Sequence, residues 1–334
     1  MLNNKKFDCQ GLTRRATLKN LIGMATFVNL PSTVWAKDAY PSHPIRMVVP
    51  FPPGGGFDTL ARPFAEKLSR ILQTTIVVDN KGGAGGNIGT AEVARAAPDG
   101  YTILFGNEIL GISPLIYKKL TYDSVRSFQP IAMIATTPII LAINPNLPAK
   151  DLKGLITLSE KEPITFGTPG IGTSPHLLGE LLNQKSPLKL RHVPYRGTGP
   201  AITDALSGQI NAVLTVASSV EPYIKSGKLR GIALLGNKRS SRLPNLPTIE
   251  EAGLPGYTHD VWYALLAPTN IPAPVVDALS KAAKQVLQDK ELTTKLVEMG
   301  FEPMWANDKA VSQRITSDLK RWGQVVFEAN IHQM

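Results

Sequence analysis

Cysteine is nearly absent from this chain: Cys9 is the only one among 334 residues. A disulfide framework is therefore excluded, as is a thiol-rich metal or redox centre. Histidine is scarce as well, with five in all, so the inventory for acid–base or metal chemistry is thin. No apolar run approaches the roughly 20 residues that cross a bilayer as a helix. No Lys/Arg block with interleaved aromatics occurs, which argues against nucleic acid as a partner. The nucleotide loops are missing too. GxxxxGK does not occur, and a GxGxxG frame begun at Gly83 and Gly85 meets Ile88 where its third glycine belongs. Ser174, in GTSPH, lacks the frame of a nucleophile elbow. His176 and Glu180 share a helical face, and we read them as a solvated or capping pair, with no metal and no cofactor expected.

What is present is ordinary globular protein. Hydrophobic residues make up 43% and charged residues 19%, outside the depleted, highly charged range of disordered chains. The length suits two domains of about 100–200 residues. Residues 1–36 have the composition of an export signal: Thr13–Lys19 reads TRRATLK, then comes the apolar Leu21–Leu30, then STVWA ending at Ala36. The pair Arg14-Arg15 resembles a twin-arginine signal; Thr17 stands where such signals carry an aromatic, so the general secretory route stays open. Cleavage there would remove five bases and one acid, Cys9 with them, and lower the net charge from +10 to +6. The competing reading is a structural N-terminal helix.

From His43 onward, β-rich runs alternate with helical patterns, which predicts βαβ units and mostly parallel sheets in an α/β fold. Strands are expected at Ile45–Val49, Thr75–Asp79 and Tyr101–Phe105, with further strand residues across Ile131–Asn144. A second series follows at Ile164–Gly167, Leu190–Val193, Asn211–Val216 and Arg230–Leu235. Leu60, Phe64, Leu68, Ile71 and Leu72 stripe one helix, which Pro63 interrupts. Val261–Pro268 reads as a buried strand returning to the first sheet, and the chain then ends in helices alone.

Four glycine-rich stretches join strand ends to helix starts: Val48–Asp58 (VVPFPPGGGFD), Asn80–Gly89 (NKGGAGGNIG), Thr168–His176 (TPGIGTSPH) and Pro194–Pro200 (PYRGTGP). A helix start carries unpaired N–H groups and partial positive charge, and glycine lets an anion touch them. In open α/β sheets ligands sit at the carboxyl ends of strands, so two loops from each of two lobes would converge on one cleft. Asp58 is expected to cap the first helix, and Ser174-Pro175 and Gly199-Pro200 read as caps followed by a first-turn proline. The bland alternative is four tight turns. Tyr195, Trp262 and Tyr263 either line the pocket or fill core, and Arg196 is either a solvated charge or an anion partner.

Six motifs in order, PFPPGGGFD, NKGGAGGNIG, APDGYTILFG, HVPYRGTGPAITDALSGQI, RLPNLPTIEEAGLPGY and WYALLAP, resemble the periplasmic solute receptors of tripartite tricarboxylate transporters, the Bug family. The resemblance runs from about Pro41 to the C-terminus. It implies a two-lobed periplasmic binding protein (type II-like), with residues 41–142 plus 260–334 in lobe 1 and 143–259 in lobe 2. It further implies a carboxylate ligand held mainly by backbone groups. The expected contacts are Gly54, Gly55, Gly56, Phe57 and Asp58 in the first loop, and Ala84, Gly85 and Asn87 in the second. In lobe 2 they are Gly170, Gly172, Thr173, Ser174 and His176, then Tyr195, Gly197 and Thr198. Two stretches depart from the family pattern near the cleft. Asn107-Glu108, both expected ligand contacts, replaces small hydroxyl residues, and TVASS (Thr215–Ser219) replaces an Asp-Asn pair. The lost acid favours a simple carboxylate, whereas Glu108 faces either solvent or a ligand ammonium group.

The expectation is thus an exported, soluble, monomeric receptor, not an enzyme, that binds a small carboxylate and delivers it to the membrane subunits of a transporter. The alternatives are an exported α/β enzyme acting on an anionic substrate, and a ligand-sensing receptor for a membrane signalling partner.

Overall fold

The computed structural model describes residues 40–328 and 331. The expected export segment, with Arg14, Arg15 and Ala36, lies outside them. In the first series β1 (Ile45–Val49) is followed by α1 (Gly56–Leu72), β2 (Ile76–Asn80), α2 (Asn87–Ala94), β3 (Thr102–Asn107) and α3 (Ile109–Ile116). Then comes β4 (Phe128–Ile143). The second series is α4 (Leu152–Lys161), β5 (Ile164–Thr168), α5 (Ser174–Lys185), β6 (Leu190–Pro194), α6 (Thr198–Ser207), β7 (Ala212–Val216), α7 (Ala217–Lys225) and β8 (Arg230–Leu234). The chain returns through β9 (Asp260–Pro268), α8 (Ala273–Val286), α9 (Lys290–Glu298), β10 (Glu302–Asn307) and α10 (Asp308–Glu328).

Two sheets share β4. In the first, β1 pairs in parallel with β2 and β3, β9 runs antiparallel between β3 and β4, and β10 lies antiparallel on β4. In the second, β5 pairs in parallel with β6 and β7, while β7 and β8 run antiparallel to β4. Pairing with β9 ends at Pro138, and pairing with β7 begins at Ile139. The fold is therefore a two-lobed α/β architecture with one strand threaded through both lobes, and its sheets are mixed where mostly parallel ones were expected, because β4 and β9 run against their neighbours.

Period-two and period-3.6 patterns account for most of this. Leu60, Phe64 and Leu68 are fully buried on α1, and Val275, Leu279, Ala283 and Val286 form the buried face of α8. Ile71 departs from the expected stripe: it is exposed at the helix end. α1 continues through Pro63, which lacks only one backbone donor. The stretch after β9 is not purely helical, because Glu302–Asn307 forms β10. Its EPMWAN sequence carries little β-branched content, and its pairing with β4 decides the conformation. Among the described residues no helix is long and apolar enough to cross a membrane.

Candidate functional site

The carboxyl ends of β1, β3, β5 and β6 feed a cavity of about 180 Å³. Its wall includes Gly54, Gly55, Gly56 and Phe57 from the first loop, and Asn107 and Glu108 after β3. Thr173 joins from the loop before α5, and Gly197 and Thr198 come from the start of α6. Both lobes thus contribute wall. The volume lies below the roughly 300–1,000 Å³ of drug-sized pockets, so the space suits a ligand of a few heavy atoms.

Local chemistry explains the first loop. Gly54 has φ +79°, a left-handed conformation that excludes side chains, and Gly55 is the extended residue before α1. Asp58 does not occupy the cap position. It sits in the first turn, where Oδ2 accepts from Gly54 N (3.0 Å) and from Arg62 Nε (2.8 Å). Burial raises its pKa, but these bonds outweigh burial and hold the carboxyl below the usual range. These bonds fix the loop. The two later caps are also shifted: α5 starts at Ser174 with Thr173 as its cap, and α6 starts at Thr198 with Gly197 as its cap.

The other expected contacts lie off the cavity wall. Asn87 donates to Ala84 O (2.8 Å) and accepts from Tyr122 Oη (2.6 Å), which ties the second loop to its own lobe. A Cβ on Gly85 would stand 2.9 Å from Tyr117 Oη and 3.3 Å from Ile171 O, and one on Gly172 would meet Ile116 and Tyr117. Here the loops of the two lobes touch each other. Gly170 packs against Tyr195 O, and the Tyr195 hydroxyl turns away to donate to Asp204 (2.6 Å). Ser174 Oγ donates across the lobes to Glu108 Oε1 (2.8 Å).

His176 and Glu180 are not a solvated pair. His176 is buried, and with His192 of β6 they bring three donor atoms within 4.8 Å of one another. Burial holds both imidazoles neutral, with His176 pushed down to about 4 and His192 to about 3. Each ring already has a partner: Gly172 N donates to His176 Nδ1 (3.3 Å), and His192 Nε2 shares a hydrogen bond with Thr168 Oγ1 (2.7 Å). Glu180, the third of these side chains, has its pKa raised by burial and has a hydrogen bond with Asn183.

Val261 and Val216 stand outside the expected contacts, whereas Tyr263, left open between pocket and core, is both buried and on the wall. Val261 and Tyr263 alternate on β9 and both reach the cavity, whereas Trp262 points to the opposite face and donates to Asp318 Oδ2 (2.6 Å). Strand alternation could have separated Tyr263 from Trp262. Arg196 is exposed and forms part of the wall. In the TVASS stretch Val216 lines the cavity, and Ser218 and Ser219 lie 3.2 Å from where a Gly56 Cβ would sit.

Residues 60–331 match the model of the tripartite tricarboxylate transporter family receptor. The chain belongs to that family. The receptor is 34% identical to protein BugT of Bordetella pertussis, over 87% of this chain and 90% of BugT. It superposes on the periplasmic binding protein BugD with a TM-score of 0.84 at 35% identity, covering 88% of this chain and all of BugD. It likewise matches the R. palustris protein Rpa4515 with adipate, with a TM-score of 0.85 and 31% identity over 88% of this chain and all of that one. The family is one of transporter receptors, and BugD is a periplasmic binding protein.

Proposed function

We propose that the receptor is exported past a signal peptide ending at Ala36, acts in the periplasm as a monomer without catalytic chemistry, and binds a small carboxylate in the cavity between its lobes. It then hands the ligand to the membrane subunits of its transporter. One observation carries this reading: the starts of α1, α5 and α6 all open on a single small cavity walled by glycine backbone. A helix start offers about 0.3–1 kcal/mol per charge, and micromolar binding needs about 8 kcal/mol. Charge-assisted bonds from several loop N–H groups in a closed cavity supply the remainder. The adipate carried by Rpa4515 fits the same ligand class.

Gly54, Gly55, Gly56, Thr173, Gly197 and Thr198 are the proposed carboxylate contacts. A thermal-shift screen of organic acids and amino acids on the mature chain tests the reading. At a hundredfold excess over Kd a true ligand adds about 2.7 kcal/mol of stability. The absence of any stabilising carboxylate, or turnover of a bound acid, would overturn it.

A further inference from the structure

Glu108 stands directly after β3 and is only 4% exposed, yet it forms part of the cavity wall. Its two oxygens are treated differently. Oε1 accepts from Ser174 Oγ of the opposite lobe, whereas Oε2 is shielded from solvent and has no hydrogen-bond partner. Among the described residues the cation that favours the charged form of Glu108 is Arg314, and Asp318 opposes it. Asn107 spends its Oδ1 on Ile109 N, and Tyr263 of β9 is a neutral phenol. From α10, Arg314 is engaged by Asp318 (3.3 Å), which also accepts from Trp262. His176, one turn along α5, is neutral; Asp58 is held by Arg62 and Gly54; Arg196 is exposed. A buried carboxyl oxygen without a partner is costly, and a donor carried by the ligand would complete it.

We propose that Glu108 recognises an ammonium group, so that the receptor's ligand is an amine-bearing carboxylate: a zwitterion whose carboxylate meets the glycine loops while its ammonium meets Glu108 Oε2. The inference rests on the carboxylate-receptor reading above and narrows it. Ser174 already donates to the acid, which favours the ionised form that an ammonium requires. Three helix starts and one acid on a single wall make the cavity bipolar, as a dicarboxylate would not need. Burial pushes the Glu108 carboxyl up to about 8, so at pH 7 it holds a proton. An arriving ammonium displaces that proton to solvent: Glu108–COOH plus R–NH₃⁺ becomes the ion pair plus one H⁺.

Isothermal titration of the mature chain, in buffers of different ionisation enthalpy, tests this with α- and ω-amino acids, their N-acetyl derivatives, and adipate. The expected result is tight binding of a free amino acid, with about one proton released per ligand at pH 7. N-acetylation of that ligand, or Glu108→Gln, should weaken binding by about 100-fold or more. Adipate binding without proton release, retained in Glu108→Gln, would overturn the inference and leave the carboxylate receptor standing. Binding of none of these compounds would overturn both. The N-acetyl comparison uses the unmutated chain, so it decides the question even if the variant folds poorly.

Discussion

A carboxyl group removed from water keeps its proton, and a buried imidazole refuses one; the receptor contains both cases. Glu108 is raised from 4.5 to about 8, so the folded state binds a proton that the unfolded chain gives up, and stability falls as pH rises through that window. His176, His192 and His259 are lowered by burial from 6.5, so below that pH the unfolded chain takes protons the fold does not, and stability falls as pH drops. Together these groups place maximum stability near pH 6.5. Glu108→Gln should erase the alkaline arm, a loss of about 2 kcal/mol between pH 6.5 and 8. Urea midpoints at pH 5, 6.5 and 8 measure it, and an unchanged alkaline slope in the variant would refute the role given to Glu108. Glu108 stood out in the sequence because an acid beside an anion site is odd. Its surroundings were not legible there, because Ser174 reaches it from a distant part of the chain.

At the scale of elements, the loops were the most legible feature and their fine geometry the least. Four glycine stretches between strand and helix pointed to one cleft, and the first and fourth do reach the cavity with most of their expected residues. The second instead meets the third at Gly85 and Ile171, a contact set by the relative placement of two lobes, which no local pattern encodes. Cap positions moved by a residue or two: Thr173 and Gly197 begin α5 and α6, neither with a side-chain cap hydrogen bond. β10 was missed since its conformation comes from β4 across the sheet. Gly56 gives this scale its test. Its Cβ position lies 3.2 Å from Ser218 Oγ, Ser219 Oγ and Val216 Cγ2, all from the other lobe. Gly56→Val should wedge the lobes apart and weaken ligand binding by about 10- to 100-fold, the equivalent of 1–3 kcal/mol of overpacking. The thermal midpoint of the free protein should hardly move. Unchanged affinity by titration calorimetry would mean that this contact does not govern the cleft.

For the whole molecule, the sixteen-residue β4 is decisive. Sequence alone offered two apolar pieces there and no sign that they form one strand serving two sheets. A second lobe cut before residue 143 leaves residues 139–142 behind, and β7 and β8 then lose most of their shared neighbour. A fragment of residues 143–259 should show no cooperative thermal transition by far-UV circular dichroism, whereas one of residues 138–259 should. Equal behaviour of the two fragments would make the strand dispensable.

The chain crosses between lobes a second time after β8, and the two crossings lie side by side. Leu235 N donates to Ile139 O (2.7 Å), His259 N donates to Leu235 O (2.6 Å), and a Cβ on Gly236 would touch Pro138 and Asp260. For a designer of biosensors this junction is a tuning screw. It offers a place to set how readily the receptor grips its solute while leaving untouched every atom that the solute meets.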